Sequence, residues 1–386
     1  MRMNAVASLE PKPAAPPLPA TDSPIPTPER TVSERLQSLD AYRGLIMFTL
    51  LAGGIFHSLK GHPVWNWLYV QNEHVPWAGC VYWDLIQPSF MFMVGVAMPL
   101  AFARRAALGD SWSQQFRHAI FRAFNLCAIG ILLDHFGAQK IQIGFIRVLQ
   151  QIAFGYICAF FVVGRSFRTQ GLVAAALLVG YNLLWMFNPW NGSGGPWALG
   201  NENIGSAFDR WMLGRNYSGY YVGMNAIPSA ATIIFGVMAG QWVMQRRPHP
   251  RTMLVLLVGG LSGIALGLAA SPWLPLIKRI WTPSFAVFAA GCTTLILLAF
   301  YWAIEVKGWR RWSLPLVVVG VNSIAAYVLG NAGFGGWFRS ASGAWIGWLK
   351  PMLGNAWYPV FQNALFAVAA WGVLYWLYRR RIFFKC

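Results

Sequence analysis

Residues 81–103 read VYWDLIQPSFMFMVGVAMPLAFA and are followed directly by Arg104 and Arg105. Within this stretch Asp84 is the single charged residue. About 20 apolar residues in an α-helix, at a rise of about 1.5 Å each, cross the hydrocarbon core of a bilayer. The stretch therefore predicts a transmembrane helix that carries one carboxyl group near its start.

Similar apolar blocks recur along the whole chain. Of its 386 residues, 56% are hydrophobic and only 11% are charged, whereas soluble domains carry roughly 25% charged residues. The composition and the block length predict an all-α, polytopic membrane protein with about ten transmembrane helices. The predicted spans are 38–57, 81–103, 117–135, 145–164, 171–189, 224–244, 252–271, 283–303, 313–333 and 357–378.

The Lys and Arg residues lie in short clusters between the spans, although the formal net charge of +18 is high. This placement argues against nucleic-acid binding and indicates membrane orientation, because cytoplasmic loops are enriched in Lys and Arg. The connections on one side, together with the C-terminal tail, hold most of these residues. The longer connections on the other side, including 58–80 and 190–223, hold fewer. Both termini are therefore expected in the cytoplasm.

Residues 1–33 are rich in Pro, Ala, Ser and Thr and lack the apolar centre of a signal peptide, which predicts a disordered tail. Residues 34–386 are predicted to form one helix bundle. The five cysteines show no metal-type spacing and no disulfide framework. The length of the chain and the absence of a cleavable leader favour a bacterial inner membrane over a lysosome.

His74 and Asp84 are candidate functional residues, because ionisable groups at a membrane span cost free energy and are commonly functional. Pro88, four residues after Asp84, removes the backbone N–H that would bond the Asp84 carbonyl, so we expect a kink there. The start of this span thus combines a carboxylate, a freed carbonyl and an imidazole that can carry protons. The alternative is that His74 is an ordinary histidine of an interfacial loop.

Polar groups elsewhere in the spans have two interpretations each. Arg43 shares a helix face with Asp40, either as an anchor at the helix end or as a ligand for an anionic donor. Asn225 belongs with the buried amides that hold helices together. Asn322 and Ser323, in the middle of a span after VVVGV, are better placed to line a pocket.

Six segments of the chain match the motifs of one known family: RLQSLDAYRGLIM, the H-x2-W-x-G-x4-D-x3-P stretch from His74 to Pro88, RVLQQIAFGY, FDRWMLGRN with NAIPSAATIIFGVMAG, PLIKRIWTPSF and GVNSIAAYV. Together they resemble the heparan-α-glucosaminide N-acetyltransferase family and its bacterial relatives. The resemblance covers roughly residues 35–333 and keeps the order and spacing of the family's motifs. It departs from the family at Gln151, where Arg is usual, and at Gly330-Asn331, near which the human-type enzymes carry a second histidine.

What the resemblance implies is a transmembrane acyltransferase that uses cytoplasmic acetyl-CoA as co-substrate and needs no metal. The acceptor would be a glycan amino sugar or sugar hydroxyl on the outer side. In this interpretation His74 is the general base or an acyl-carrying nucleophile, and Asp84 orients it. Arg43, Asn322 and Ser323 are expected to bind the donor, with a share in oxyanion stabilisation for the latter two. Trp77, Asn225, Lys278 and Trp281 are expected at the acceptor.

Two other classes of function remain open on the sequence. A proton-coupled transporter or flippase for an envelope precursor would use His74 and Asp84 as a proton relay, although no internal repeat is visible. A scaffold or sensor without chemistry would tolerate substitution of both residues. The partners expected are acetyl-CoA, the acceptor and the lipid bilayer, with self-association left open.

Overall fold

The computed structural model of the protein describes residues 36–135, 144–245 and 247–384. The predicted disordered tail, residues 1–33, lies outside this described part, as do Lys140, Arg246 and Lys385 from the loops and the C-terminal tail. The boundary of the tail stays a prediction.

The described residues fold into α-helices joined by turns and short 3-10 segments, and no β-strand occurs among them. This confirms the all-α prediction. In chain order the helices are α1 (Gln37–Leu51), α2 (Asn66–Gln71), α3 (Tyr82–Ala107), α4 (Trp112–His135), α5 (Val148–Phe160), α6 (Phe167–Met186), α7 (Ile204–Leu213), α8 (Ala226–Met244), α9 (His249–Ala270), α10 (Pro283–Tyr301), α11 (Leu314–Val321), α12 (Ser323–Asn331), α13 (Phe334–Ile346) and α14 (Lys350–Arg379).

Every predicted span contains one of these helices or, in one case, two. Seven helical stretches of the described chain are long and apolar enough to cross a membrane, or eight if the bent pair Arg311–Val321 and Ser323–Asn331 is one span. The chain is therefore a multi-pass membrane protein. The helices α1 and α5 have 15 and 13 residues, fewer than the roughly 20 that a spanning helix needs. The count of ten and the side of each terminus stay predictions.

The helix α3 runs without a break through Pro88 and Pro99 and packs along α8. Two glycines make this packing close. A Cβ at Gly95 would lie 2.0 Å from the carbonyl oxygen of Ile233, and one at Gly236 would lie 2.1 Å from that of Phe92. Small residues of this kind let the backbones of membrane helices approach each other, so the two helices form a fixed pair at the centre of the bundle.

The long connections around 58–80 and 190–223 cover the end of the bundle where α3 begins. Trp185 stacks on Trp197 with ring centroids 5.9 Å apart, and the Trp77 indole N–H donates to the Trp197 carbonyl at 2.8 Å. Asp209 is buried and accepts hydrogen bonds from the Gly223 N–H at 3.0 and 3.1 Å. These contacts hold the loops as a structured cap beside His74.

Candidate active site

Three ionisable side chains meet at the start of α3. His74 Nδ1 lies 2.7 Å from Asp84 Oδ1, and Lys278 Nζ lies 3.2 Å from His74 Nδ1 and 3.6 Å from Asp84 Oδ1. The Asp84 and Lys278 side chains are 1% and 5% exposed, while that of His74 is 31% exposed. The partly exposed His74 ring therefore contacts a buried carboxylate and a buried ammonium group, both at Nδ1.

Asp84 is fixed by its position in the first turn of α3. Its Oδ2 accepts from the Val81 N–H at 3.3 Å and from the Val75 N–H at 3.4 Å. A carboxylate at a helix N-terminus is favoured by the helix dipole and satisfies free backbone donors there. The same carboxylate therefore caps α3 and ties the loop that carries His74 to the helix.

Lys278 is fixed by a turn between α9 and α10. The Leu276 carbonyl accepts from the Gly79 N–H at 2.8 Å, which joins this turn to the loop that follows His74. Trp281 N–H donates to the Lys278 carbonyl at 3.0 Å, and Trp281 has a positive φ of 53°, a conformation that costs energy for a bulky residue. The packing around Trp281 holds this turn in place, and the turn fixes the backbone position from which the Lys278 side chain extends.

Burial and hydrogen bonding set the protonation of Lys278 and His74. Burial lowers the pKa of Lys278 to about 8, against the opposing pull of the Asp84 carboxylate. His74 Nδ1 cannot donate to Asp84 and accept from Lys278 at the same time. The shorter distance to Asp84 assigns the proton to Nδ1, which leaves Nε2 as the acceptor of a proton from a substrate.

His74 and Lys278 line one side of a cavity with a volume of about 150 Å³. A single water needs at least about 15 Å³ of such space, so this cavity has room for several waters or for a small chemical group. Gln87 and Tyr327 supply further polar atoms to its wall. The remaining lining is apolar and comprises Met47, Leu50, Trp83, Ile86, Phe90 and Val148.

A chain of amides leads from this cavity to the Lys278 turn. Gln87 Nε2 donates to Gln151 Oε1 at 2.5 Å, and Gln151 Nε2 donates to Asn225 Oδ1 at 2.5 Å. Asn225 Nδ2 in turn donates to the carbonyl of Arg279 at 3.2 Å. Asn225 thus connects the start of α8 to the Lys278 turn. Of these three hydrogen-bonded amide side chains, only Gln87 lines the cavity.

Besides Asn225, the structure places two predicted acceptor residues away from the cavity wall. Trp77 belongs to the outer cap, through its hydrogen bond to Trp197. Trp281 is fully buried, and its indole N–H lies 3.3 Å from the Thr232 hydroxyl. It anchors the Lys278 turn, and its role at the acceptor stays a prediction.

The predicted donor residues also lie outside the cavity wall. Arg43 Nη1 is 3.8 Å from Asp40 Oδ1 near the start of α1. Asn322 stands at the 71° bend between α11 and α12, with Ser323 as the first residue of α12. The Asn322 amide donates to the Ile382 carbonyl at 3.1 Å and accepts from the Phe384 N–H at 3.2 Å. This side chain fastens the C-terminal segment to the broken span.

Sequence reasoning missed Gln87 and Tyr327 as cavity residues. Both lie inside segments that were singled out for other residues, Gln87 next to Pro88 and Tyr327 in GVNSIAAYV. The signal was a polar side chain in an apolar span. Among the described residues, no group of three or more His, Cys, Asp or Glu side chains could hold a metal ion.

The chain is similar to two curated proteins. It is 24% identical over 418 residues to the heparan-α-glucosaminide N-acetyltransferase of Homo sapiens, which covers 91% of the chain and 60% of the human protein. It is 23% identical to the Mus musculus protein of the same name, over 78% of the chain and 54% of that protein. The chain thus spans little more than half the length of these relatives. The matches support a distant family relationship. No family model matches the chain.

Proposed function

We propose that the protein is a membrane acyltransferase that moves an acetyl group from acetyl-CoA to an amino sugar or sugar hydroxyl. The observation that carries this proposal is the contact of His74 with Asp84 and Lys278 at the wall of a small cavity. A base oriented by a buried carboxylate is the arrangement that acyl transfer requires. The distant relationship to two N-acetyltransferases supports it.

In the proposed reaction the acceptor nitrogen or oxygen attacks the carbonyl carbon of the thioester, and His74 Nε2 takes the acceptor proton. Collapse of the tetrahedral intermediate breaks the carbon–sulfur bond, and the imidazolium returns its proton to the departing thiolate. Asp84 holds the Nδ1–H and stabilises the imidazolium. Lys278, on the same cavity wall, places a positive charge near the developing oxyanion.

The same imidazole serves a two-step route in which Nε2 first accepts the acetyl group and the acceptor then removes it. Label retained on His74 after brief exposure to acetyl-CoA without acceptor would show this route.

The position of the site agrees with an acceptor on the outer side of a bacterial inner membrane, because His74 belongs to the side with fewer Lys and Arg residues. Both termini in the cytoplasm belong to the same proposal.

The test is transfer of labelled acetyl from acetyl-CoA to a panel of amino sugars and neutral sugars by the purified full-length protein. His74→Ala should lose transfer, and His249→Ala should retain it, because His249 pairs with Tyr301 outside the cavity. Transfer by His74→Ala at the wild-type rate would refute the assignment of the base.

One observation favours the transporter as a second function. The span formed by α11 and α12 is broken by a 71° bend, and broken helices are common in secondary transporters. Flux of a sugar into proteoliposomes driven by a proton gradient, without any consumption of acetyl-CoA, would support it. Stabilisation of the protein by coenzyme A would support the acyltransferase instead.

A further inference from the structure

Arg122 is a charged residue inside a predicted membrane span. It lies ten residues, or about 15 Å, along the axis of α4 from Trp112. It lies five residues, or about 7.5 Å, inside the predicted span, which begins at residue 117. Its guanidinium carbon is 5.0 Å from the ring centroid of the buried Tyr156, and its Nε is buried without a hydrogen-bond partner. A cation at this depth is costly, so its presence indicates a function.

Two further basic residues lie near Arg122. His118 is four residues earlier on the same face of α4, where the charges of Arg105 and Arg122 both act on it. Arg105 lies in the last turn of α3, and its Nη1 is 2.9 Å from Asp110 Oδ2. Asp110 offsets only one of these charges. The group formed by Arg105, His118 and Arg122 therefore carries surplus positive charge from the end of α3 into the bilayer.

This group lies at the opposite end of α3 from the His74 site. Asp84 and Arg105 are 21 positions apart on this helix, which corresponds to about 32 Å along its axis. The next helix, α4, runs antiparallel to α3, so its residue Arg122 lies about 15 Å closer to the level of Asp84 than the start of α4 does. About half of the 32 Å between Asp84 and Arg105 therefore remains between Arg122 and Asp84, measured along the helix axis. The cluster is thus a site separate from the cavity of His74, whose lining contains none of these three residues.

We propose that Arg105, His118 and Arg122 form a binding site for a phosphate ester. Guanidinium groups stay charged at all relevant pH values and bind phosphate oxygens in pairs, and the buried Nε of Arg122 supplies a donor that phosphate would satisfy. Phosphate of this kind comes either from a soluble donor such as coenzyme A or from a phospholipid headgroup. Only the first source rests on the proposed function.

The experiment compares Arg122→Gln with Arg117→Gln, which removes the same charge from an exposed position of the same helix. Coenzyme A is titrated against each purified full-length protein by calorimetry, and bound phosphatidylglycerol is counted by native mass spectrometry. Loss of charge-assisted hydrogen bonds should weaken binding about 10- to 100-fold in Arg122→Gln. Arg122→Lys, which keeps the charge, should recover part of the affinity and reports on folding.

A selective loss of coenzyme A binding in Arg122→Gln identifies the soluble donor as the source of phosphate. A selective loss of bound phosphatidylglycerol identifies the lipid. Equal behaviour of Arg122→Gln and Arg117→Gln with both probes overturns the proposal. Because binding is measured without acceptor, it stays interpretable if the wild-type protein transfers no acetyl group, and that result would refute the proposed function alone.

Discussion

Replacing Asp84 by Asn tests the central contact of the site with almost no change in shape. The wild-type carboxylate is 1% exposed, accepts from His74 Nδ1 at 2.7 Å and lies 3.6 Å from Lys278 Nζ. Loss of a charge-assisted hydrogen bond costs about 1.5–3 kcal/mol, or a factor of roughly 10 to 150 in rate. The Asn amide can also donate to Nδ1 and so select the tautomer in which Nε2 carries the proton. Together these effects predict a fall in kcat of about 10²- to 10⁴-fold.

The same substitution should destabilise the protein, because it leaves Lys278 as a buried cation without its partner. Removal of one member of a buried ion pair costs about 3–5 kcal/mol. The pKa of Lys278 is already lowered to about 8 by burial, and loss of the carboxylate lowers it further. The unfolded chain then binds more protons than the folded one, so the stability of Asp84→Asn should recover as the pH rises from neutral towards 10.

Two measurements check these magnitudes: the rate of labelled acetyl transfer and the thermal unfolding midpoint between pH 6 and pH 9. The double variant Asp84→Asn/Lys278→Met serves as the control, since removal of both charged partners should restore stability without restoring activity. A single variant Asp84→Asn that transfers acetyl within threefold of the wild-type rate would show that the carboxylate does not position His74.

Three further predictions concern other parts of the molecule. Wild-type transfer should decline as the pH rises through about 8, where Lys278 loses its proton; Lys278→Met should be slower and lack this step in its pH–rate profile. Burial raises the pKa of Asp209 to about 6, so folding binds a proton there, and stability should fall by about 2 kcal/mol as the pH rises from 4 to 6. Thermal unfolding of Asp209→Asn should lack that dependence, and an unchanged slope would contradict it. Gly236→Leu should destabilise the α3–α8 pair by about 1–3 kcal/mol or prevent folding, whereas Gly180→Leu, with nothing within 4 Å, should unfold at the wild-type temperature.

The helices within the predicted spans could be predicted because each is a local apolar block, whereas α2, α7 and α13 lie outside every predicted span. Within the predicted spans the errors concern length, which depends on single turn residues. The helix α1 ends before Gly54, whose φ is +71°, so the predicted span 38–57 contains a helix of 15 residues. The bend at Asn322 was not foreseen either, because its amide is held by backbone groups 60 and 62 positions later.

The candidate site could be predicted where its residues are close in sequence. Residues distant in sequence could be linked to it only through the family resemblance. His74 and Asp84 are ten positions apart, and the start of a helix naturally brings such residues together. Lys278 is 204 positions from His74; its motif suggested a contact with the acceptor, whereas the structure places its ammonium group against the His74 imidazole. Trp281 shows the limit of motif reasoning, because a tryptophan in an outer loop can equally be a core anchor.

The unbroken course of α3 has a consequence for evolution of the chain. This helix is locked to α8 at Gly95 and carries Asp84 near one end and Arg105 near the other. One inserted or deleted residue between them would rotate one end by about 100° relative to the other and shift it by about 1.5 Å. Homologous chains are therefore expected to keep the number of residues between these two positions constant.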